Sequence, residues 1–212
     1  GLKESPDLKF AKIVAKHVGT IHHEFTFTIQ EGIDALRDVI YHLETYDVTT
    51  IRAATPMYLM ARKIKSLGIK MVLSGEGADE LFGGYGRLFK SPLDFYKKKI
   101  ITPSYKPIDH FLERYSWFDK NDKKKFLNQE TFRFKNFDDY SMTYLNKIFD
   151  KSEHLNYFDK IYYIMLKIHL VNMLNRLDRM TMAFSVEARV PFLDKKLIEY
   201  IFQIPNKYKI MC

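Results

Sequence analysis

The stretch IKMVLSGEGADELFGGY, residues 69–85, decides how the rest of the chain is read. It opens with a short apolar run, Ile69 to Leu73, of the kind that forms a buried strand, and passes directly into Ser74-Gly75-Glu76-Gly77. A strand ending in a glycine-rich turn presents backbone N–H groups at its carboxyl end, where phosphate can be held. The carboxylates of Glu76, Asp79 and Glu80 could not face bare phosphate. They make sense with a divalent cation between, because Mg²⁺ is typically held by one or two carboxylates together with substrate phosphates. On this reading Ser74 and Gly75 offer a hydroxyl and N–H groups to a nucleotide, and Asp79 is the metal candidate. Glu76, beside the strand end, is the candidate acid or base. A surface turn whose acids face water and favour a helix N-terminus accounts for the same residues.

Working outward, the upstream chain alternates. Ser5 as N-cap, Pro6 at the first helical position, an apolar set of Leu8, Ala11, Ile13, Val14 and Val18, and a stop at Gly19 predict a helix. His23 to Thr28 alternates and is rich in β-formers, which predicts a strand. A second helix follows from about Glu31 to Glu44, with Ile33, Leu36, Val39, Ile40 and Leu43 on one side. Residues 46–52 read as a polar connection, and Thr55-Pro56 caps a third helix that Gly68 closes. Helix and strand in alternation predict βαβ units and a parallel sheet, with ligands at the carboxyl ends of its strands.

Beyond Gly86 no strong strand signal remains. Residues 86–115, with Pro92, Pro103 and Pro107, are linker-like, and helices are predicted from about Leu155 to Arg176 and from Lys195 to Phe202. The fold class is α/β: an incomplete parallel-sheet nucleotide-binding portion over residues 1–90, then a mainly helical region over 91–212. Two strands are too few for an independent sheet of this type, so either strands go unrecognised or part of the domain lies upstream of Gly1.

Composition narrows the class. The 212 residues are 46% hydrophobic, ample for a core, and carry a net charge of +8. Runs at Lys97-Lys98-Lys99 and Lys123-Lys124-Lys125 can attract a polyanion, but no nucleic-acid motif surrounds them and a solvated face is the better reading. The single cysteine, Cys212, excludes an intrachain disulfide and points to a reducing compartment, the cytoplasm. Lys160, Lys167 and Arg176 interrupt the longest apolar stretch, so no segment approaches the roughly 18 apolar residues of a membrane span. The start at Gly1, without methionine or signal-peptide character, points to a fragment or a processed piece.

Two further polar groups stand out. Thr49, Thr50 and Arg52 combine hydroxyls with a guanidinium suited to fixed recognition of carboxylate or phosphate; ordinary loop capping is the alternative. Residues 175–194, NRLDRMTMAFSVEARVPFLD, place Arg176, Arg179 and Arg189 within reach of an anionic leaving group. For Glu187 and Arg189 an ion pair is favoured, with Asp194 as a helix cap. The histidines and Cys212 show no metal-ligand spacing. The methionines and tyrosines from Tyr157 to Met182 follow helical spacing and read as core.

Taken together, these motifs resemble the synthetase domain of glutamine-dependent asparagine synthetases. The resemblance is carried by SPDLKFAKIVAKHVGTIHHEF (5–25), YHLETYDVTTIRAATPMYLMARKIKSLGIKMVLSGEGADELFGGY (41–85) and SVEARVPFLDKKLIEY (185–200), in the family's order and spacing. Residues 91–154 match only loosely. The resemblance implies a PP-loop ATP pyrophosphatase-like fold, and ATP and Mg²⁺ used to adenylate the side-chain carboxylate of aspartate. Pyrophosphate is released, and ammonia then displaces AMP. It implies that Ser74 and Gly75 contact ATP, that Glu76 supports formation and capture of the adenylate, and that Asp79 helps bind Mg²⁺ and pyrophosphate. Thr49 and Arg52 would handle substrate and intermediate. Arg179 falls where better-known members carry a lysine that stabilises charge near pyrophosphate. The family's catalytic cysteine, its glutaminase domain and its Ser-Gly-Gly-x-Asp-Ser pyrophosphate loop have no counterpart here. The expectation is therefore a C-terminal part that depends on ammonia supplied from glutamine elsewhere, is inactive alone, and belongs to a full-length homodimer. A related synthetase acting on another carboxylate, and a non-catalytic basic binding module, are the alternatives.

Overall fold

In the computed structural model, which describes residues 6–86, 92–116 and 137–209, the strand of the opening stretch pairs with a segment near the other end of the chain. Strand β1 (Met71–Leu73) runs parallel to β2 (Glu187–Arg189), with Met71 opposite Glu187, Val72 opposite Ala188 and Leu73 opposite Arg189. Among the described residues these two strands form the sheet. The predicted strand at 23–28 is not part of it. That segment is extended but joins no ladder, and a strand exists only through hydrogen bonds to a neighbour. Its alternation survives locally: the His23 and Phe25 rings stack on one side with centroids 6.3 Å apart, and Lys63 Nζ lies 5.5 Å over the Phe25 ring.

The chain divides into two compact units, Gly1–Leu73 with Asn175–Arg189, and Ser74–Leu174 with Val190–Cys212. In the first, α1 (Pro6–Val18), α2 (Ile29–Leu43) and α3 (Val48–Ser66) precede β1. The apolar residues of α1 make no core: Phe10, Ile13, Val14 and Val18 are exposed. Helix α2 starts earlier than its apolar period predicts because Thr28 and Glu31 form a reciprocal capping box, each satisfying the other's backbone N–H. It buries Ala35, Val39 and Leu43 against Ala54, Tyr58 and Leu59 of α3, while Ile33 and Ile40, expected on the apolar side, are exposed.

Residues 48–52 are helical rather than part of a connection. Asp47 caps α3, accepting from Thr50 N at 2.7 Å and from Thr50 Oγ1 at 2.6 Å, so the helix begins well before Thr55-Pro56. Pro56 then lies inside it. It offers no N–H to the Arg52 carbonyl, while Thr55 Oγ1 donates to the carbonyl of Ile51 at 2.9 Å. Strand β1 is shorter than the predicted 69–73 and is not buried, with Leu73 69% exposed; one partner strand cannot cover both faces.

The second unit is helical. Helix α4 (Ala78–Phe82) follows the glycine-rich turn. The region read as a linker holds α5 (Pro92–Ile101) and α6 (Pro107–Tyr115), because Pro92 and Pro107 stand at helix starts, where a missing N–H costs nothing. Then come α7 (Phe137–Lys151) and α8 (Tyr157–Ile164). A π-helical turn, Met165–His169, joins α8 to α9 (Leu170–Met182), and the division between the units falls in α9. Phe95, Phe111, Phe149, Ile161, Tyr162 and Met165 form the centre of this unit's core. After β2, a 3-10 turn (Pro191–Leu193) leads to α10 (Lys195–Gln203), capped by Asp194 through Leu197 N at 3.1 Å, and to α11 (Asn206–Lys209). Among the described residues no helix is long and apolar enough to cross a membrane.

Candidate active site

The acidic turn lies in the second unit and is built around glycine. Gly77, buried at φ +97°, begins α4 in a conformation that L side chains rarely adopt, and a Cβ there would stand 2.5 Å from Leu193 Cδ2. Leu193 and Phe192 therefore form the wall against which the turn is folded; Phe82 meets Phe192 edge-on at 6.3 Å. Gly75, by contrast, has nothing within 4 Å of where its side chain would stand, so its backbone is open to an approaching group.

Helix α4 then sorts the acids. Successive residues on a helix point about 100° apart, and here Asp79 is exposed while Glu80 is 1% exposed. Glu80 Oε1 accepts a 2.7 Å hydrogen bond from Tyr85 Oη. Burial first, then that bond, then the charges of Glu80, Asp79 and Glu76 push the Tyr85 hydroxyl well above the usual phenol range, so it stays a donor. Glu80 is thus a structural acid, and Asp79 and the partly exposed Glu76 are the carboxylates a ligand can reach. Sequence alone could not separate Glu80 from Asp79, since both are acids in one short helix.

Thr49, Arg52 and Arg179 belong to the first unit. Thr49 and Arg52 are three residues apart at the start of α3, on neighbouring positions of one helical face, and both are exposed. Arg179, at 39% side-chain exposure, stands elsewhere, at the end of α2. Its Nη1 donates to the carbonyls of His42 at 3.2 Å and Leu43 at 3.0 Å and to Glu44 Oε2 at 2.8 Å. These carbonyls have no partner within the helix, and Glu44, left-handed at φ 53°, closes the turn. The guanidinium is therefore a helix cap, a role that its distance along the chain conceals. His42, Glu44, Asp178 and Arg179 line an open pocket of about 360 Å³. The last sequence motif is shared between the units: Glu187 and Arg189 pair at 3.0 Å beside β1, whereas Leu193 supports the acidic turn.

No group of three or more His, Cys, Asp or Glu able to enclose a metal occurs among the described residues. The exposed Asp79 fits the other mode, in which one or two carboxylates hold Mg²⁺ and phosphate and water supply the remaining ligands.

Comparison with known proteins decides the family: the asparagine synthase profile matches residues 1–211. The chain belongs to the asparagine synthase family. The match takes in residues 91–154, which the motifs had covered only loosely. Among relatives of this family member, glutamine-hydrolysing asparagine synthetase 2 of Oryza sativa subsp. japonica is 43% identical over 211 residues, covering 100% of this chain and 25% of the relative. Glutamine-hydrolysing asparagine synthetase 1 of Arabidopsis thaliana is 43% identical over 100% of this chain and 26% of its own length. Asparagine synthetase B (glutamine-hydrolysing) of Escherichia coli strain K12 is 43% identical over 212 residues and 27% of its own length. The chain thus spans about a quarter of the length of the curated relatives it matches.

Proposed function

We propose that this chain is the C-terminal part of the synthetase domain of a glutamine-dependent asparagine synthetase that converts aspartate to asparagine. The observation that carries the reading is 43% identity along the full chain to enzymes named for that reaction. A β-carboxylate oxygen of aspartate attacks the α-phosphorus of ATP, and the bond to the bridging oxygen breaks. Pyrophosphate leaves, and β-aspartyl-AMP remains. Ammonia, released from glutamine by a glutaminase domain, then adds to the acyl carbon, loses a proton to Glu76, and AMP departs with its bonding pair.

In this scheme Ser74 and the open Gly75 backbone receive the nucleotide. Thr49 and Arg52 bind the carboxylates of aspartate and the adenylate. Arg179 would supply positive charge to the departing pyrophosphate, an arginine keeping the charge of a lysine but not its compact geometry. Asp79 would hold Mg²⁺, which would neutralise charge on the departing pyrophosphate. Residues 1–90 would be the ATP-binding portion and 91–212 its helical remainder, in a cytoplasmic, homodimeric protein.

The full-length protein, given aspartate, ATP, Mg²⁺ and ammonia, should yield asparagine and pyrophosphate in equal amounts. Release of pyrophosphate with another carboxylate but not aspartate would overturn the substrate assignment. Glu76→Ala should slow the reaction roughly 10²-fold or more, as expected for loss of a positioned acid or base, and a normal rate would remove Glu76 from the mechanism.

A further inference from the structure

We propose that Gly84 is a positioning residue for Asp79: the space left by its missing side chain is the seat of the Asp79 carboxylate, closed at the flank by the Glu80–Tyr85 hydrogen bond. The catalytic consequence rests on the reading of Asp79 given above; the seat itself rests on geometry. Gly84 is not among the glycines with positive φ, so the backbone there would accept any L residue. Its neighbour forbids one. A Cβ at Gly84 would overlap Asp79 Oδ1 and lie 2.6 Å from Asp79 Cγ and 3.0 Å from Asp79 Cβ.

The backbone of Asp79 is fixed. The Asp79 carbonyl accepts from the N–H groups of both Gly83 and Gly84, the latter at 3.0 Å, which ties the root of the carboxylate to the turn it faces. On the flank, the next residue along on each side, Glu80 and Tyr85, is joined by the partly buried 2.7 Å bond. The carboxylate is thus accessible to solvent and lies over the Gly84 α-carbon. An alanine at 84 would expel it without removing it.

A double-mutant cycle in the full-length protein tests this, with Gly84→Ala, Asp79→Ala and the combined variant read by thermal midpoint and by the Mg²⁺ concentration that half-saturates pyrophosphate release. Gly84→Ala should lower the midpoint by roughly 2–4 °C with Asp79 present, as for a modest overpacking, and by less than half of that when Asp79 is already alanine, where only the 3.0 Å contact to Cβ is left. It should raise half-saturating Mg²⁺ roughly tenfold, and the combined variant should match Asp79→Ala within about twofold. Equal losses in both backgrounds, or no effect of Gly84→Ala, would overturn the seat. So would failure of the combined variant to fold, since the overlap with Oδ1 and Cγ is then gone. If the unaltered protein releases no pyrophosphate, the functional reading falls and the thermal cycle alone decides the seat.

Discussion

Replacing Arg179 with alanine should loosen the end of α2 selectively. The guanidinium serves the His42 and Leu43 carbonyls at 3.2 and 3.0 Å through one nitrogen. A hydrogen bond from a charged donor contributes roughly 1.5–3 kcal/mol, but a shared nitrogen on a 39% exposed side chain earns the lower part of that range. The cation also opposes the negative end of the helix dipole, for about 0.3–1 kcal/mol. The pair with Glu44, 73% exposed, adds little. The net is about 1.5–2 kcal/mol, almost all of it local. Native-state hydrogen exchange in the last turn of α2 should therefore accelerate roughly 10- to 30-fold, with the amides of its first two turns unaffected. Arg179→Lys should recover about half of the protection, because an ammonium keeps the charge but cannot present the same planar donor. Exchange unchanged within about twofold in Arg179→Ala, or raised evenly along α2, would refute the capping argument.

Three other perturbations follow from the same geometry. Gly77→Ala should cost about 2–4 kcal/mol by denaturant titration, from left-handed strain plus overlap with Leu193, and Leu193→Ala in the same chain should recover the overlap part only. Asp47→Ala removes the cap of α3 and should cost about 1 kcal/mol, read as faster exchange of the Thr50 amide. His110 is fully buried, with Nδ1 2.8 Å from Tyr157 Oη and Nε2 3.4 Å from Asp94, and burial pushes its pKa down while Asp94 offsets only part of the shift. Its folded value thus lies below the unfolded value of about 6.5, so protonation favours unfolding. Stability is complete above about pH 6.5 and is lost as pH falls toward and through the folded value. His110→Gln should flatten that slope below about pH 6.5, and an unaltered slope would show that other groups set it.

What the sequence made legible was local. The Pro6 start of α1, the apolar period of α2 and the Asp194 cap of α10 each involve residues within a turn of one another, and the structure contains all three elements, Ser5 lying outside the described residues. The start of α3 was hidden because Thr55-Pro56 is a stronger start signal than Asp47, and a proline tolerated inside a helix looks like one that begins it. Strand β2 was hidden for a different reason. Glu187-Ala188-Arg189 has the composition of a helix, and only the neighbouring β1 makes it a strand. The candidate site divides along the same line. Gly75, Glu76 and Asp79 were legible from a glycine-rich turn after an apolar run. The burial of Glu80, the seat at Gly84 and the support from Leu193 arise from packing and leave no periodic trace.

The cap supplied by Arg179 also sets an order of events during synthesis. Its donor is 137 residues downstream of the His42 carbonyl that it satisfies. At about 5–20 residues per second, α2 leaves the ribosome roughly 7–27 s before its last turn can be closed. Strand β1 waits in the same way for β2, its edge unpaired until Glu187–Arg189 arrive. The first unit is therefore finished by its last fifteen or so residues, and a nascent chain stalled before them would display an open helix end and an unpaired strand edge, the surfaces that chaperones and neighbouring nascent chains engage.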